Sequence, residues 1–302
     1  MEILSSAAAF LKRRNMRFFY KIADICVKGE TPYELILQEE SIPFLLADKE
    51  EDCCDVEVVF NRLNCMQRST DTGIWKMNRL YYKKDGGDVV CFYPAQRDLP
   101  YACVFYSKGE IRIDYAEASI PDMNYSHNLI DLFSLEMLLL NYHGIIVHSS
   151  FIRWKNKGVL FTAPSGTGKS TQADLWVKYE QAECLNGDRT GLRKVDGEWI
   201  SYGLPYAGSS GIYRNASSPL FAIVVLRQGK NNTISRMKSS DAFRALYPET
   251  LIHHWDTAFV SAAVSFISEL VTEVPVYLLA CRPDREAVDI LRDELIKEGI
   301  SL

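Results

Sequence analysis

A strand, a tight loop and the start of a helix follow one another at residues 158–171, and this run constrains the fold more than any other. It reads Gly-Val-Leu-Phe-Thr-Ala-Pro-Ser-Gly-Thr-Gly-Lys-Ser-Thr, and residues 172–179 continue with helical character. A Gly-rich turn that ends in Lys-Ser, placed between a strand and a helix, is the local context of a phosphate-binding loop. The run therefore predicts an α/β unit that holds a phosphorylated ligand.

The residue types of this loop suit phosphate chemistry. Gly166 and Gly168 allow backbone angles and a close approach that a side chain would prevent. N–H groups of the loop and of the helix N-terminus can then point at phosphate oxygens. Lys169 adds positive charge, and the Ser170 hydroxyl can bind Mg²⁺. We therefore expect ATP and Mg²⁺ as cofactors, with ATP held by Ala163, Pro164, Ser165, Gly166, Thr167, Gly168, Lys169, Ser170 and Thr171. A strand-to-helix turn with a chance lysine is the structural alternative.

The two halves of the chain carry different patterns. Residues 1–18 predict an amphipathic helix, and short strand-like runs with turn sequences between them fill the rest of residues 1–125. This half is interpreted as a mostly antiparallel β (α+β) domain of unknown role. From residue 126 onward strands and helices alternate, which predicts an α/β domain over residues 126–302. Among single elements we expect a strand at 20–27, one helix over about 126–140 and a last helix at 285–297.

Composition argues against several classes of partner. The net charge of −5 disfavours a general nucleic-acid binder. No apolar run approaches the roughly 18 residues that cross a membrane, and the N-terminal residues lack the basic start of a signal peptide. The eight cysteines form no C-x-x-C pair and several sit in apolar runs, so we expect buried reduced thiols and a cytoplasmic protein. A homo-oligomer is compatible with the sequence.

Three residues outside the loop are candidates for the same site. His148 lies on the strand before the loop, 15 residues ahead of Ala163, and Asp188 lies 19 residues past Lys169, at the end of the next strand. Because the carboxyl ends of strands in an α/β sheet share one edge, Asp188 is expected to meet Mg²⁺ or an attacking hydroxyl. Arg214, in a Gly/Ser-rich loop, is expected to contact the substrate. A core histidine, a turn-capping aspartate and a solvated arginine are the structural alternatives.

The run from His148 through the loop to Ser170 resembles the catalytic core of HPr kinase/phosphorylase, which has a histidine at the same spacing before its phosphate loop. The loop is also similar to that of ATP-dependent phosphoenolpyruvate carboxykinase, which shares the fold. Asp188-Arg189 matches the end of the family's Asp-Asp-Arg, whereas Gly187 replaces its first aspartate. The resemblance covers roughly residues 135–300. It implies a P-loop kinase domain of this type, and the N-terminal half does not match the kinase's own N-terminal domain.

The activity that this resemblance implies is ATP- and Mg²⁺-dependent phosphorylation of a hydroxyl, with serine favoured, on a protein, a peptide or a small molecule. The reverse reaction, dephosphorylation driven by phosphate, is also implied. Asp188, His148 and Lys169 would be catalytic, Ser170 and Asp188 would hold the metal, and Arg214 would contact the substrate. Because one acidic residue of the family's pair is missing, a nucleotide-binding regulatory or scaffold protein with a degenerate site is the alternative.

Overall fold

The computed structural model describes residues 16–46, 54–95, 97–206 and 208–300. The chain divides into two compact units, an N-terminal unit, Met1–Leu135, and a C-terminal unit, Glu136–Leu302. Each contains an eight-stranded sheet, so the fold is mixed α/β with two large sheets and few helices. Within the described ranges, no helix is both long and apolar enough to span a membrane. The helix predicted at 1–18 lies outside these ranges except at its last residues, where a strand already begins.

The N-terminal unit is built mainly from antiparallel strands. Its elements are β1 (Arg17–Ile22), β2 (Ile25–Glu30), β3 (Val56–Leu63), β4 (Ile74–Lys76), β5 (Arg79–Lys84), β6 (Gly87–Phe92), β7 (Ala102–Ser107), β8 (Glu110–Ala116), α1 (Ile120–Met123) and α2 (Ser126–Leu132). The sheet order is β1-β2-β3-β8-β7-β6-β5-β4. Only the β2–β3 and β3–β8 pairs within this path are parallel. The prediction of a mostly antiparallel β region is therefore confirmed.

Two details of this unit differ from the predictions. The strand predicted at 20–27 is a hairpin, because Ala23 and Asp24 have φ of 52° and 57° and reverse the chain. Such left-handed angles carry no sequence signal here, since neither residue is glycine. Cys91 and Cys103 face each other across β6 and β7 and form a disulfide, so the predicted reduced state is wrong for this pair.

The C-terminal unit alternates strands with longer helices. Its elements are α3 (Leu135–Asn141, which begins at the unit boundary), β9 (Gly144–Trp154), β10 (Lys157–Thr162), α4 (Lys169–Glu180), β11 (Glu183–Asn186), β12 (Arg189–Val195), β13 (Glu198–Gly203), β14 (Ser217–Gln228), β15 (Thr233–Arg236), α5 (Ser239–Leu246), α6 (Thr257–Glu273), β16 (Val276–Cys281) and α7 (Arg285–Lys297). The single helix predicted over 126–140 is two helices, because Ser134 between them has a φ of 46°.

Strand β9 organises the sheet of this unit. It pairs antiparallel with β10, β11 and β12. β10 also pairs parallel with β14, which is joined through β13 and β12 back to β9, so this path of strands closes on itself. β16 runs parallel to β14. The carboxyl ends of β10, β14 and β16 therefore lie at one edge of the sheet, and the Gly-rich loop of residues 163–168 follows β10 there.

Helices α4 and α7 pack on the sheet through a shared core. Trp176 of α4 is fully buried and meets Trp154 of β9 edge-on, with ring centroids 5.1 Å apart. Val288 and Leu291 of α7 belong to the same cluster. Truncating a buried tryptophan to alanine costs about 3–5 kcal/mol, so this contact holds α4 firmly against the sheet. The start of α4 is thereby fixed beside the end of β10.

Candidate functional site

The loop between β10 and α4 has the backbone geometry of an anion cradle. Gly166 and Gly168 have φ of 78° and 120°, which side chains rarely adopt. A Cβ at either position would meet no atom within 4 Å, so conformation and not crowding requires glycine here. Among the described residues, no side chain caps the start of α4 at Gly168. The first N–H groups of the helix are therefore directed at the loop, where an anion can accept from them.

Lys169 is folded back onto this loop. Its Nζ donates to the carbonyl oxygen of Ala163 at 2.8 Å, and the residue is only 7% exposed. Burial lowers the pKa of Lys169, and the negative charges of Glu249 and Asp188 oppose that shift. Lys169 thus interacts electrostatically with two carboxylates, at the edge where a phosphate would add further negative charge.

His148 and Asp188 are brought together by the pairing of β9 with β12. His148 stands opposite Arg189 in that ladder, and Asp188 immediately precedes Arg189. The Nε2 atom of His148 lies 3.8 Å from Oδ1 of Asp188. The Thr162 hydroxyl donates to the His148 carbonyl at 2.9 Å, which ties this part of β9 to the end of β10. The structure therefore places His148, Asp188 and Lys169 in one neighbourhood.

Glu249 belongs to the same group of side chains, although no sequence motif predicted it. Its Oε2 atom is 3.1 Å from Nδ1 of His148, on the other side of the ring from Asp188. A single helical turn at Tyr247–Glu249 carries it, and the next residue, Thr250, forms a bridge with Val147 of β9. Because 101 residues separate Glu249 from His148, no local spacing could have indicated this contact.

Asn186 fixes the turn that carries Asp188. It is fully buried, and its Oδ1 accepts from the backbone N–H groups of Asp188 and Arg189, both at 2.9 Å. Its Nδ2 donates to the carbonyl oxygens of Leu204 and Tyr206 at 2.9 and 3.1 Å. One amide therefore joins the Asp188 turn to the start of the following Gly/Ser-rich segment. This residue is a positioning residue that the sequence pattern did not identify.

The same segment explains why Gly187 lacks a side chain. A Cβ on Gly187 would lie 2.1 Å from Oγ of Ser210 and 2.5 Å from its Cβ. Gly208, with a φ of 53°, lies so close to Asp188 that its own added Cβ would approach the Asp188 Cβ to 2.6 Å. The turn at Gly208–Ser210 thus covers both positions, and an aspartate at 187 would not fit beneath it.

Arg214 is the predicted site residue that the structure does not bring to this group. Its guanidinium pairs with Glu183, which also pairs with Arg153. Glu183 begins β11, whereas Asp188 follows the other end of that strand. The Arg214 side chain is therefore directed away from the turn of Asp188. Its expected contact with a substrate stays a prediction.

A cavity of about 380 Å³ lies next to the phosphate loop. It is lined on one side by residues of the loop and of α4, and on the other by the ends of β14 and β16: Gly166, Thr167, Gln172, Leu226, Cys281 and Arg282. Gln172 Nε2 donates to the sulfur of Cys281 at 3.3 Å and so links the two walls. This volume, partly apolar and open to the loop, is in the range of small-molecule sites.

A metal ion at this site would depend on a bound nucleotide. The described residues contain no group of three or more His, Cys, Asp or Glu side chains that could hold an ion. Ser170 is exposed at the start of α4, and the Asp188 side chain is 30% exposed. One hydroxyl and one carboxylate fit an Mg²⁺ ion that takes its other oxygens from phosphates and water, since Mg²⁺ keeps several such ligands.

Comparison with known proteins gave matches among solved structures. No family model and no curated protein matches the chain. Among solved structures, the HPr(Ser) kinase/phosphatase from Coxiella burnetii matches with a TM-score of 0.30 and 13% sequence identity. That match covers 51% of this chain and 88% of the other. A TM-score of this size carries no argument about the function of this chain.

Proposed function

We propose that this chain is an ATP- and Mg²⁺-dependent kinase that phosphorylates a hydroxyl, with serine favoured, on a protein, a peptide or a small molecule. The observation that supports it most is the presence of Asp188 and His148 beside the buried Lys169 of a phosphate-type loop. Phosphoryl transfer depends mainly on positioning and on neutralising charge, which is what such a group supplies. The motif at residues 148–189 supports a P-loop domain of the HPr kinase type.

Each part of the site has a role in this proposal. The loop N–H groups and Lys169 would bind the β- and γ-phosphates. On binding, Lys169 would give up its hydrogen bond to the Ala163 carbonyl and donate to phosphate oxygens instead. Ser170 and Asp188 would hold Mg²⁺, which neutralises the phosphates when it is bound. The cavity that Leu226 and Cys281 line would take the nucleoside.

Binding of ATP to wild type and to Lys169→Ala tests the proposal by calorimetry in the presence of Mg²⁺. Hydrogen bonds to charged groups contribute about 1.5–3 kcal/mol, so the substitution should weaken ATP binding by about 10- to 150-fold. Lys178→Ala is the matched control, because Lys178 lies on the same helix but is exposed. Folded wild-type protein that binds no ATP at millimolar concentration would contradict the proposal.

A nucleotide-binding regulatory or scaffold protein is the second candidate. The observation that favours it is Gly187, which sits under Ser210 and leaves one carboxylate fewer at the metal. Transfer of the γ-phosphate from ATP to a library of serine-containing peptides separates the two candidates. A kinase labels a peptide and loses that labelling in Asp188→Asn, whereas a regulatory protein binds ATP and labels none.

A further inference from the structure

The histidine of the site lies between two carboxylates that belong to different parts of the chain. Glu249 approaches Nδ1 of His148 at 3.1 Å, and Asp188 approaches Nε2 at 3.8 Å. The Glu249 side chain is only 11% exposed, so water contributes little to its hydrogen bonding. The first contact has hydrogen-bond length, whereas the second leaves space between the ring and Asp188.

The chemistry of these groups selects one tautomer of the ring. An ionised carboxylate can only accept hydrogen bonds, and a neutral imidazole has one N–H and one bare nitrogen. The short contact with Glu249 therefore requires the proton on Nδ1 of His148. The bare Nε2 then faces the space in front of Asp188, where it can accept a proton.

We propose that Glu249 is a positioning residue that holds His148 as the general base of the reaction. The inference rests on the proposed kinase function. The acceptor hydroxyl attacks the γ-phosphorus of ATP, the bond to the bridging oxygen breaks, and ADP leaves with that electron pair. The hydroxyl proton moves to Nε2 of His148, and the resulting imidazolium keeps its Nδ1–H bond to Glu249. A base oriented by a third group through its other nitrogen is a recurrent arrangement in enzymes.

This assignment gives Asp188 a different task. With proton transfer on His148, the Asp188 carboxylate is available to Mg²⁺ together with Ser170. The charged groups next to the ring are Glu249, from the turn before Thr250, and Asp188, which pairs with Arg189 at the start of β12. Lys169 of α4 interacts electrostatically with both carboxylates. The two carboxylates among them would stabilise the imidazolium that forms during transfer.

The test compares Glu249→Gln with Glu136→Gln. Glu136 makes a similar contact, 3.2 Å from Nε2 of the buried His253, outside the site. Both substitutions remove a carboxylate that is only 11% exposed and lies within hydrogen-bond distance of a histidine nitrogen, so they share any general cost to folding. We expect Glu249→Gln to lower kcat for peptide phosphorylation by about 100-fold, because general-base catalysis contributes about 10²- to 10⁴-fold. The dissociation constant for ATP and Mg²⁺ should change less than threefold, and Glu136→Gln should change neither value.

Two further readouts separate positioning from a structural role. Glu249→Asp should keep more of the wild-type kcat than Glu249→Gln, because it retains a carboxylate that can accept a hydrogen bond from Nδ1 of His148. Nitrogen-15 NMR of the histidine rings, with His148→Gln to assign the signals, should show the Nδ1–H tautomer in wild type and a mixture in Glu249→Gln.

Distinct results overturn the inference and the proposed function. An Nε2–H tautomer in wild type, or an unchanged kcat in Glu249→Gln, overturns the role of Glu249. A wild type that binds ATP but phosphorylates no protein, peptide or small-molecule hydroxyl overturns the kinase proposal and, with it, the catalytic role of His148. The NMR spectrum still decides by itself whether Glu249 sets the tautomer.

Discussion

Asn186 offers a quantitative test of how the site is held together. Replacement by alanine removes two bonds to the N–H groups of Asp188 and Arg189 and two bonds to the carbonyls of Leu204 and Tyr206. Each is worth about 1 kcal/mol net, and the side chain is fully buried, so water cannot replace it easily. We therefore expect Asn186→Ala to lower the free energy of unfolding of the C-terminal unit by about 4 kcal/mol.

Asn232 provides the matched control for this change. It donates to Asp284 and Glu286 and accepts from the backbone N–H of Arg282, with distances of 2.7–2.8 Å. These hydrogen bonds lie near the surface, where water can replace them. Asn232→Ala should therefore lower the free energy of unfolding by about 1 kcal/mol or less. The comparison therefore varies burial while keeping the residue type.

Urea unfolding followed by tryptophan fluorescence measures both variants. Trp154, Trp176, Trp199 and Trp255 all lie in the C-terminal unit, so the signal reports mainly on that unit. The change in midpoint at constant slope gives the difference in free energy. If Asn186→Ala costs no more than Asn232→Ala, the Asn186 bonds do not hold the turn of Asp188 and the reasoning is wrong.

Three other substitutions test separate features. Gly187→Asp should destabilise the fold by about 1–3 kcal/mol through overpacking against Ser210, and Ser210→Gly in the same chain should recover most of that loss in a thermal shift assay. Arg214→Ala should change the ATP dissociation constant by no more than about twofold. It should lower the free energy of unfolding by about 1 kcal/mol or less, since the ion pair of Arg214 with Glu183 is exposed. A tenfold loss of ATP binding would contradict the structure. Asp256→Ala should cost about 1 kcal/mol in urea unfolding, because the side chain caps α6, and no loss would mean that the cap contributes nothing.

Elements with strong local signals were predictable from the sequence. The last helix was expected at 285–297 and lies at Arg285–Lys297, where Asp284 caps its start. The strand, loop and helix around residues 158–179 were also expected and are confirmed as β10 and α4. In α7 apolar periodicity coincides with a cap residue, and around residues 158–179 an apolar strand leads into a Gly-rich turn, so the local preference and the final structure agree.

Elements without such signals were missed. The charged residues Arg189, Arg193 and Lys194 interrupt the apolar pattern of β12, so the sequence does not predict a strand there. The central residues of β12 are nevertheless buried between β9 and β13. The break between α2 and α3 occurs at Ser134, and no glycine or proline is present there to predict the end of a helix. Tertiary packing decided the outcome for β12, because its partner β9 precedes it by two strands and a helix. The break at Ser134 lies next to the unit boundary at Leu135.

The candidate site was predictable only in part, for the same reason. The motif, together with the rule that strand ends share an edge, predicts that one site contains His148, Lys169 and Asp188. The structure brings these residues together. Asn186 and Glu249 act through contacts that the motif does not contain. Glu249 reaches His148 only because the segment after it lies along β9, a pairing that no local pattern encodes.

The central place of β9 also has a consequence for the order of folding. Its hairpin with β10 closes through a short turn at Lys155 and Asn156, whereas the contact between His148 and Glu249 closes a loop of 101 residues. Short loops form with a smaller loss of chain entropy and therefore sooner. We expect the φ-values from folding kinetics to be higher near the β9–β10 turn than near Glu249. The β9–β10 hairpin would then form before Glu249 contacts His148.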